Sequence, residues 1–111
     1  MAFSDLAQLI KDNGNGVRAF EKAATEAFAA AKANPDLAAA YFILASEATD
    51  FADVNDRMPV TKMDSDAAQA RFAAHAAQLD AARAEPAQLV AALNAIVAEI
   101  KEAHARKQPV L

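Results

Sequence analysis

Residues 37–54, LAAAYFILASEATDFADV, decide the fold predicted for this chain. They hold the only tyrosine, two of the six phenylalanines and a run of four bulky apolar residues, YFIL, at positions 41–44. At about 100° per residue, four consecutive positions cover every side of a helix. We therefore predict that this stretch is a central helix buried on all sides.

The chain around this stretch is rich in alanine. Apolar residues make up 55% of the 111 residues, yet 33 residues are alanine. Alanine is the best helix former but contributes little burial, so the core depends on a small set of larger side chains. At this length we predict one domain covering residues 1–111.

Turn and capping residues divide the chain into five helical segments. Ser4 is the expected N-cap of a short first helix, which ends at residues 13–16, NGNG. An apolar stripe predicts a second helix over residues 17–33, and residues 34–36, NPD, open the central helix. Each connection between these helices is short, which favours side-by-side packing of helices that are neighbours in the sequence.

The C-terminal half follows the same pattern. After the connection at residues 55–60, Thr61 is the expected N-cap of a fourth helix reaching about Ala84, and Pro86 opens the last helix. Residues 108–111 are expected to fray. No segment alternates with period two, so we predict an all-α fold: an up-and-down antiparallel four-helix bundle with the short first helix as a lid or dimer arm.

Composition excludes several classes of function. A net charge of -4 and a pI near 5.0 disfavour nucleic acid, because phosphate binding needs clustered Lys and Arg. The chain has no cysteine, which removes disulfides and thiolate chemistry. We see no apolar run long enough for a membrane span or an export signal, and expect a cytoplasmic protein.

The acidic residues Glu47, Asp50, Asp53 and Asp56 follow one another at steps of three. A cation needs several oxygens from a loop bent around it, which a straight helix does not supply. We interpret the series as a solvated acidic face, paired with bases such as Arg57, and keep open a bound cation or a basic partner. No metal or other cofactor is predicted.

His75 shares a helix face with Phe72 and Leu79, which is typical of a core histidine. As a metal ligand it lacks a partner one turn on, where Gln78 and Leu79 stand. A phosphotransfer histidine would be followed by a base at the position of Gln78. Nothing places a nucleophile beside a base, so we predict no catalytic residue.

Several short segments form an ordered series along residues 20–72. They are Phe20-Glu21-Lys22-Ala23-Ala24, Ala48-Thr49, Asp53-Val54-Asn55, Arg57, Pro59 and Ala70-Arg71-Phe72. In this order they resemble segments of the small four-helix acyl-CoA-binding proteins. The resemblance implies that lysines and tyrosines on the second and third helices hold the CoA phosphates and adenine. Arg71 takes the place of one such lysine, but Ser46 replaces another, and Phe42 and Ala45 fall on the tyrosine positions.

Our leading hypothesis is a non-catalytic helical module that self-associates or binds a protein partner. Its basis is a group of apolar residues left outside the predicted inward stripes, which would form an interface if they are contiguous. They are Phe3, Phe51, Met58, Val60 and Met63. A C2 homodimer is the commonest assembly of this kind.

The second hypothesis is a binder of a small apolar ligand, with a pocket between helices. Tyr41, Phe42, Phe72 and His75 are the large or polar groups predicted to face inward, and the resemblance adds Arg71 as a phosphate contact. A filled aromatic core is the alternative interpretation of the same residues.

Overall fold

The computed structural model describes residues 1–56 and 58–107, with side chains as far as residue 101, and these ranges form five α-helices. They are α1 (Phe3–Asp12), α2 (Val17–Ala33), α3 (Ala38–Val54), α4 (Lys62–Ala82) and α5 (Pro86–Lys107), with a 3-10 turn at Pro35–Leu37 before α3. The described residues contain no strand, which confirms the all-α prediction. Arg57 and residues 108–111, which also carried predictions, lie outside the described residues.

Local sequence signals set most helix boundaries. The side chain of Thr61 caps α4 by accepting the N–H of Asp64 at 3.1 Å, and Pro86 is the first residue of α5. The turn between α1 and α2 uses positive φ angles at Gly14, 90°, and at Asn15, 62°. Glycine and asparagine are the residues that adopt this left-handed conformation most readily. The predicted bounds of α2 agree with the structure.

The short helix α1 belongs to the core. Phe3, Leu6 and Ile10 are each 0% exposed, and α1 packs against both α2 and α4. The ring of Phe3 lies 4.7 Å from that of Tyr41. The prediction that α1 is a lid or dimer arm is therefore wrong, because its large apolar side chains fill space between helices distant in sequence.

Asp80 of α4 fixes the start of α1. Its carboxylate accepts the backbone N–H of Phe3 at 2.7 Å and of Ser4 at 3.0 Å, two donors that a helix cannot satisfy internally. The predicted N-cap Ser4 instead lies inside the first turn. The backbone carbonyl of Met1 accepts hydrogen bonds from Tyr41 of α3 and from Arg83, the residue that follows α4, so both helices help to hold the N-terminal turn.

Replacing Asp80 by alanine should lower the free energy of unfolding by about 1 to 2 kcal/mol, the usual cost of losing a helix N-cap. Amide hydrogens of α1 should then exchange faster than those of α2, measured by hydrogen exchange with mass spectrometry. Asp5→Ala is the matched control, because Asp5 accepts only the exposed N–H of Ala2. Equal losses in the two variants would contradict the role given to Asp80.

The contacts between helices show which of them lie side by side and in which direction they run. The contact between α2 and α3 is the most extensive, α3 also packs against α4, and α1 contacts both α2 and α4. Two ring pairs show that α2 and α3 run in opposite directions: Phe28 contacts Phe42 near the joint between them, and Phe20 contacts Phe51 further away. Alanines at buried positions of both helices allow this close approach.

Helix α5 packs beside this group, mainly against α4. Leu89 and Ile96 are buried, whereas Val90 is 56% and Val97 50% exposed. Neither α5 nor any other described helix combines the length and apolar character needed to cross a bilayer.

The central helix α3 is buried on only part of its circumference. Tyr41 and Leu44 are fully buried and Ile43 is half-buried, but Phe42 is 59% exposed. The prediction of burial on all sides is therefore wrong at Phe42. No described helix covers that side of α3, which also carries exposed Asp50 and Asp53.

Candidate functional site

Two of the predicted ligand-binding residues are packed in the core. Tyr41 is 1% exposed and stacks at a tilt on Phe3, and its hydroxyl donates to the Met1 carbonyl at 2.7 Å. Phe72 is 0% exposed and meets the ring of Phe20 edge-on at 6.3 Å. These side chains have protein partners, as the filled-core interpretation expects.

Phe42 and Arg71 lie on the protein surface, although Phe42 was predicted to face inward and Arg71 to contact a bound phosphate. The structure therefore does not bring the five predicted ligand residues together. Phe42 faces out because it sits on the side of α3 that lies opposite Leu44 and Ala48, both fully buried. Ligand binding by this set is not supported by their placement.

His75 is the one predicted site residue with an unusual polar environment. It is 3% exposed on α4, and its Nδ1 lies 2.6 Å from Oε1 of Glu47 on α3. Its Nε2 lies 3.3 Å from Oε2 of Glu99 on α5, within ion-pair distance but without a well-aligned hydrogen bond. The imidazole thus connects three helices through two carboxylates.

The hydrogen bond to Glu47 raises the pKa of His75 above its ordinary value of 6.5. Burial acts in the opposite direction, because it disfavours the charged ring, while the negative charges of Glu47 and Glu99 add to the increase. The protonated form can donate from Nδ1 to Glu47 and present a positive Nε2–H toward Glu99. The neutral form can satisfy only one of these contacts.

The arrangement is suited to holding helices together. The two ring nitrogens point to different carboxylates, and within the described side chains no three acidic or histidine groups converge as metal ligands would. Burial of the ring at 3% exposure also leaves little access for a phosphoryl donor. We interpret His75 as an electrostatic link between α3, α4 and α5.

The sequence did not identify the two partners of His75. Glu47 was assigned to the solvated acidic face, yet its side chain is 18% exposed and turned toward α4. A usable signal was present: Glu47 follows the buried Leu44 by three residues and so borders the inner side of α3. Glu99 gave no comparable signal, because its side chain is 56% exposed.

The surface carries one pair of aromatic residues in contact. Phe28 of α2 is 40% exposed and Phe42 of α3 is 59% exposed. Their ring centroids lie 5.9 Å apart at an interplanar angle of 68°, an edge-to-face contact. The rings lie on the outer side of the seam where α2 meets α3, so they form a continuous apolar patch that the sequence stripes did not predict.

The predicted interface residues do not form one patch. Phe3 is fully buried, and Phe51 is half-buried with its ring 4.1 Å from that of Phe20, so the prediction that these two lie outside the core is wrong. Met58 and Met63 are 63% and 78% exposed, and Val60 is half-buried. Only the three residues near the connection between α3 and α4 remain candidates for contact with a partner.

A shallow cleft of about 600 Å³ lies on the N-terminal half of α2. It is lined by Val17, Arg18, Glu21, Lys22, Thr25 and Asp56, of which only Asp56 belonged to a predicted group, the acidic series. The candidate sites are therefore the His75 link, the Phe28–Phe42 pair and this cleft.

No family model matches the chain, and no curated protein or solved structure matches it significantly.

Proposed function

We propose that this chain is a non-catalytic helical module that acts by binding protein, and that it forms a homodimer. The observation that carries the proposal is the exposed Phe28–Phe42 pair. Aromatic side chains are enriched at the centres of protein interfaces, where burial of one ring contributes strongly to binding. Two rings in contact on a helix surface offer such a centre.

The composition of the chain strengthens this interpretation. The phenylalanines at positions 3, 20 and 72 are fully buried, and the one at position 51 is half-buried. A single exposed apolar residue is common and carries no information. Two adjacent exposed rings, in a chain with few large side chains, support a surface that a binding partner covers. The alternative of a small-ligand or acyl-CoA-like binding bundle has less support, because Tyr41 and Phe72 pack against other aromatic rings.

The proposal includes an up-and-down antiparallel bundle in the cytoplasm. Opposite directions of α2 and α3 support this topology, as do the contacts between α1 and α4. In that pair the start of α1 meets Asp80 late in α4, and Asn15 after α1 donates to Asp66 early in α4. An acidic, cysteine-free chain is compatible with a cytoplasmic location.

Sedimentation equilibrium tests the proposal. We expect the wild-type chain to shift from 11.7 kDa toward twice that mass at about micromolar concentrations. Phe42→Gln should raise the dissociation constant by about tenfold or more, since it removes a central aromatic contact. Val54→Gln is the control, because Val54 is 68% exposed on the same helix but lies away from the pair.

Two results would oppose this proposal. One is a wild-type chain that stays at 11.7 kDa at about 100 µM, since an interface of useful strength would be populated there. The other is a dissociation constant that Phe42→Gln and Val54→Gln change equally. Far-UV circular dichroism of both variants confirms that the helices remain folded.

A further inference from the structure

We infer that two copies of this chain pair about a two-fold axis parallel to the α2–α3 seam, so that α2 of each copy lies over α3 of the other. This inference rests on the proposed self-association and specifies its geometry. It concerns the outer face, defined as the side of α2 and α3 that carries the exposed rings of Phe28 and Phe42. Its charged residues are Arg18, Glu21, Lys22 and Lys32 of α2 with Asp50 and Asp53 of α3, all exposed, and Thr25 and the half-buried Ser46 lie among them.

The first step is to compare the positions of these residues along the seam; two residues are level when they lie at the same height along it. Because α2 and α3 are antiparallel and Phe28 touches Phe42, residues before Phe28 lie level with residues after Phe42. At about 1.5 Å per residue, Arg18 lies about 15 Å from Phe28 and Asp53 about 16 Å from Phe42, toward the same end. One end of the outer face therefore carries bases on α2 and acid on α3.

The second step is the charge of each helix. Helix α2 carries three bases, Arg18, Lys22 and Lys32, flanked by two acids at positions 21 and 26. Residues 38–54 carry three acids and no base. Glu21 shares the outer face of α2 with the three bases, so that face has a net charge of +2, whereas Asp50 and Asp53 give the outer face of α3 a net charge of -2.

The third step is the symmetry operator. An axis parallel to the seam exchanges the positions of α2 and α3 but keeps each residue at its level. Phe28 then lies over the partner's Phe42, and Arg18 and Lys22 lie over the partner's Asp53. An axis across the seam would instead place α3 on α3 and α2 on α2, which opposes like charges at an interface. Charge complementarity therefore selects the first operator, and its contacts are isologous.

The cleft at the start of α2 lies at the level where the partner's α3 reaches Asp53. Its lining is balanced in charge, because Glu21 and Asp56 accompany Arg18 and Lys22. The choice of a second copy as the partner therefore rests on the aromatic pair and on the net charges of the two helix faces.

A charge-exchange experiment tests this geometry. One variant carries Arg18→Glu with Lys22→Glu, and the other carries Asp53→Lys. Each alone should dimerise at least tenfold more weakly than wild type, because both of its symmetry-related contacts become repulsive. An equimolar mixture should recover wild-type affinity as a heterodimer, since each contact again joins opposite charges. Native mass spectrometry distinguishes the heterodimer from either homodimer.

A cross-linking measurement gives an independent readout, because the natural chain contains no cysteine. Thr25 lies three residues before Phe28 and Ser46 four after Phe42, so the two are level on the outer face. A mixture of Thr25→Cys and Ser46→Cys chains should be joined by a short bismaleimide, and each chain alone should be joined far less.

The outcomes separate the two proposals. If wild type dimerises and Phe42→Gln weakens it, but the mixture forms no heterodimer and no mixed cross-link, the symmetry inferred here is wrong and self-association stands. If wild type does not dimerise at all, both fail. Preferential cross-linking of Thr25→Cys chains to one another would mean that the two-fold axis runs across the seam and not parallel to it.

Discussion

Replacing Phe20 by alanine should lower the free energy of unfolding by about 3 to 5 kcal/mol, the cost of deleting a buried phenylalanine ring. Phe20 is 1% exposed, and its ring lies 4.1 Å from Phe51 and 6.3 Å from Phe72. It therefore joins α2 to both α3 and α4. In a core made largely of alanine, few neighbouring side chains can move to fill the space left behind.

Urea unfolding followed by circular dichroism measures this loss. The matched control is Phe42→Ala, which removes the same ring from a site that is 59% exposed. At protein concentrations low enough to keep the chain monomeric, the control should cost less than about 1 kcal/mol. Similar losses in the two variants would mean that Phe20 does not hold the core together.

His75→Ala should destabilise the chain by about 3 kcal/mol at pH 6. Removing one partner of a buried ion pair typically costs about 3 to 5 kcal/mol, because the other charge is left without compensation. We place the loss at the lower end, since the Glu47 side chain keeps 18% exposure and can regain some hydration. Helix α5 should lose protection from hydrogen exchange, because Glu99 loses its ion-pair partner.

The pH dependence of this loss follows from the raised pKa of His75. The native state binds the proton more tightly than the unfolded state, so protonation stabilises the fold. That contribution is complete below about pH 6.5, the ordinary histidine pKa, and declines as the pH rises through the higher native pKa. The stability difference between wild type and His75→Ala should therefore be largest below about pH 6.5 and shrink as the pH rises above it.

NMR titration of the imidazole carbons measures the pKa directly, with His75→Ala identifying the signal. Glu47→Gln is the informative control, because it removes the carboxylate whose hydrogen bond and charge raise the pKa and keeps the shape of the side chain. In that variant the pKa of His75 should fall, since burial then acts with less opposition. An unchanged pKa would contradict the assigned cause.

The sequence predicted the helices well because their boundaries depend on local chemistry. Thr61, Pro86 and the NGNG turn act within a few residues of their own position, so a single sequence is enough to interpret them. The place of α1 could not be predicted in this way. Its start is capped by Asp80, 77 residues from Phe3, and such a contact exists only after the chain has folded.

The same difference between local signals and contacts distant in sequence applies to the candidate sites. The burial of His75 followed from the spacing of Phe72 and Leu79, but its partners lie on two other helices. Phe42 was assigned to the core because an apolar run was taken to be buried on every side. Burial also depends on how many neighbours a helix has, and no described helix covers the outer side of α3.

The antiparallel α2–α3 pair has a consequence for the order of folding. Its ring contacts join residues only 14 and 31 positions apart, Phe28 with Phe42 and Phe20 with Phe51. Docking of α1 onto Asp80 must close a loop of 77 residues, and the entropy lost in closing a loop grows with its length. Chain closure therefore favours early pairing of α2 with α3, whereas the cap that Asp80 provides for α1 can form only once α4 is in place.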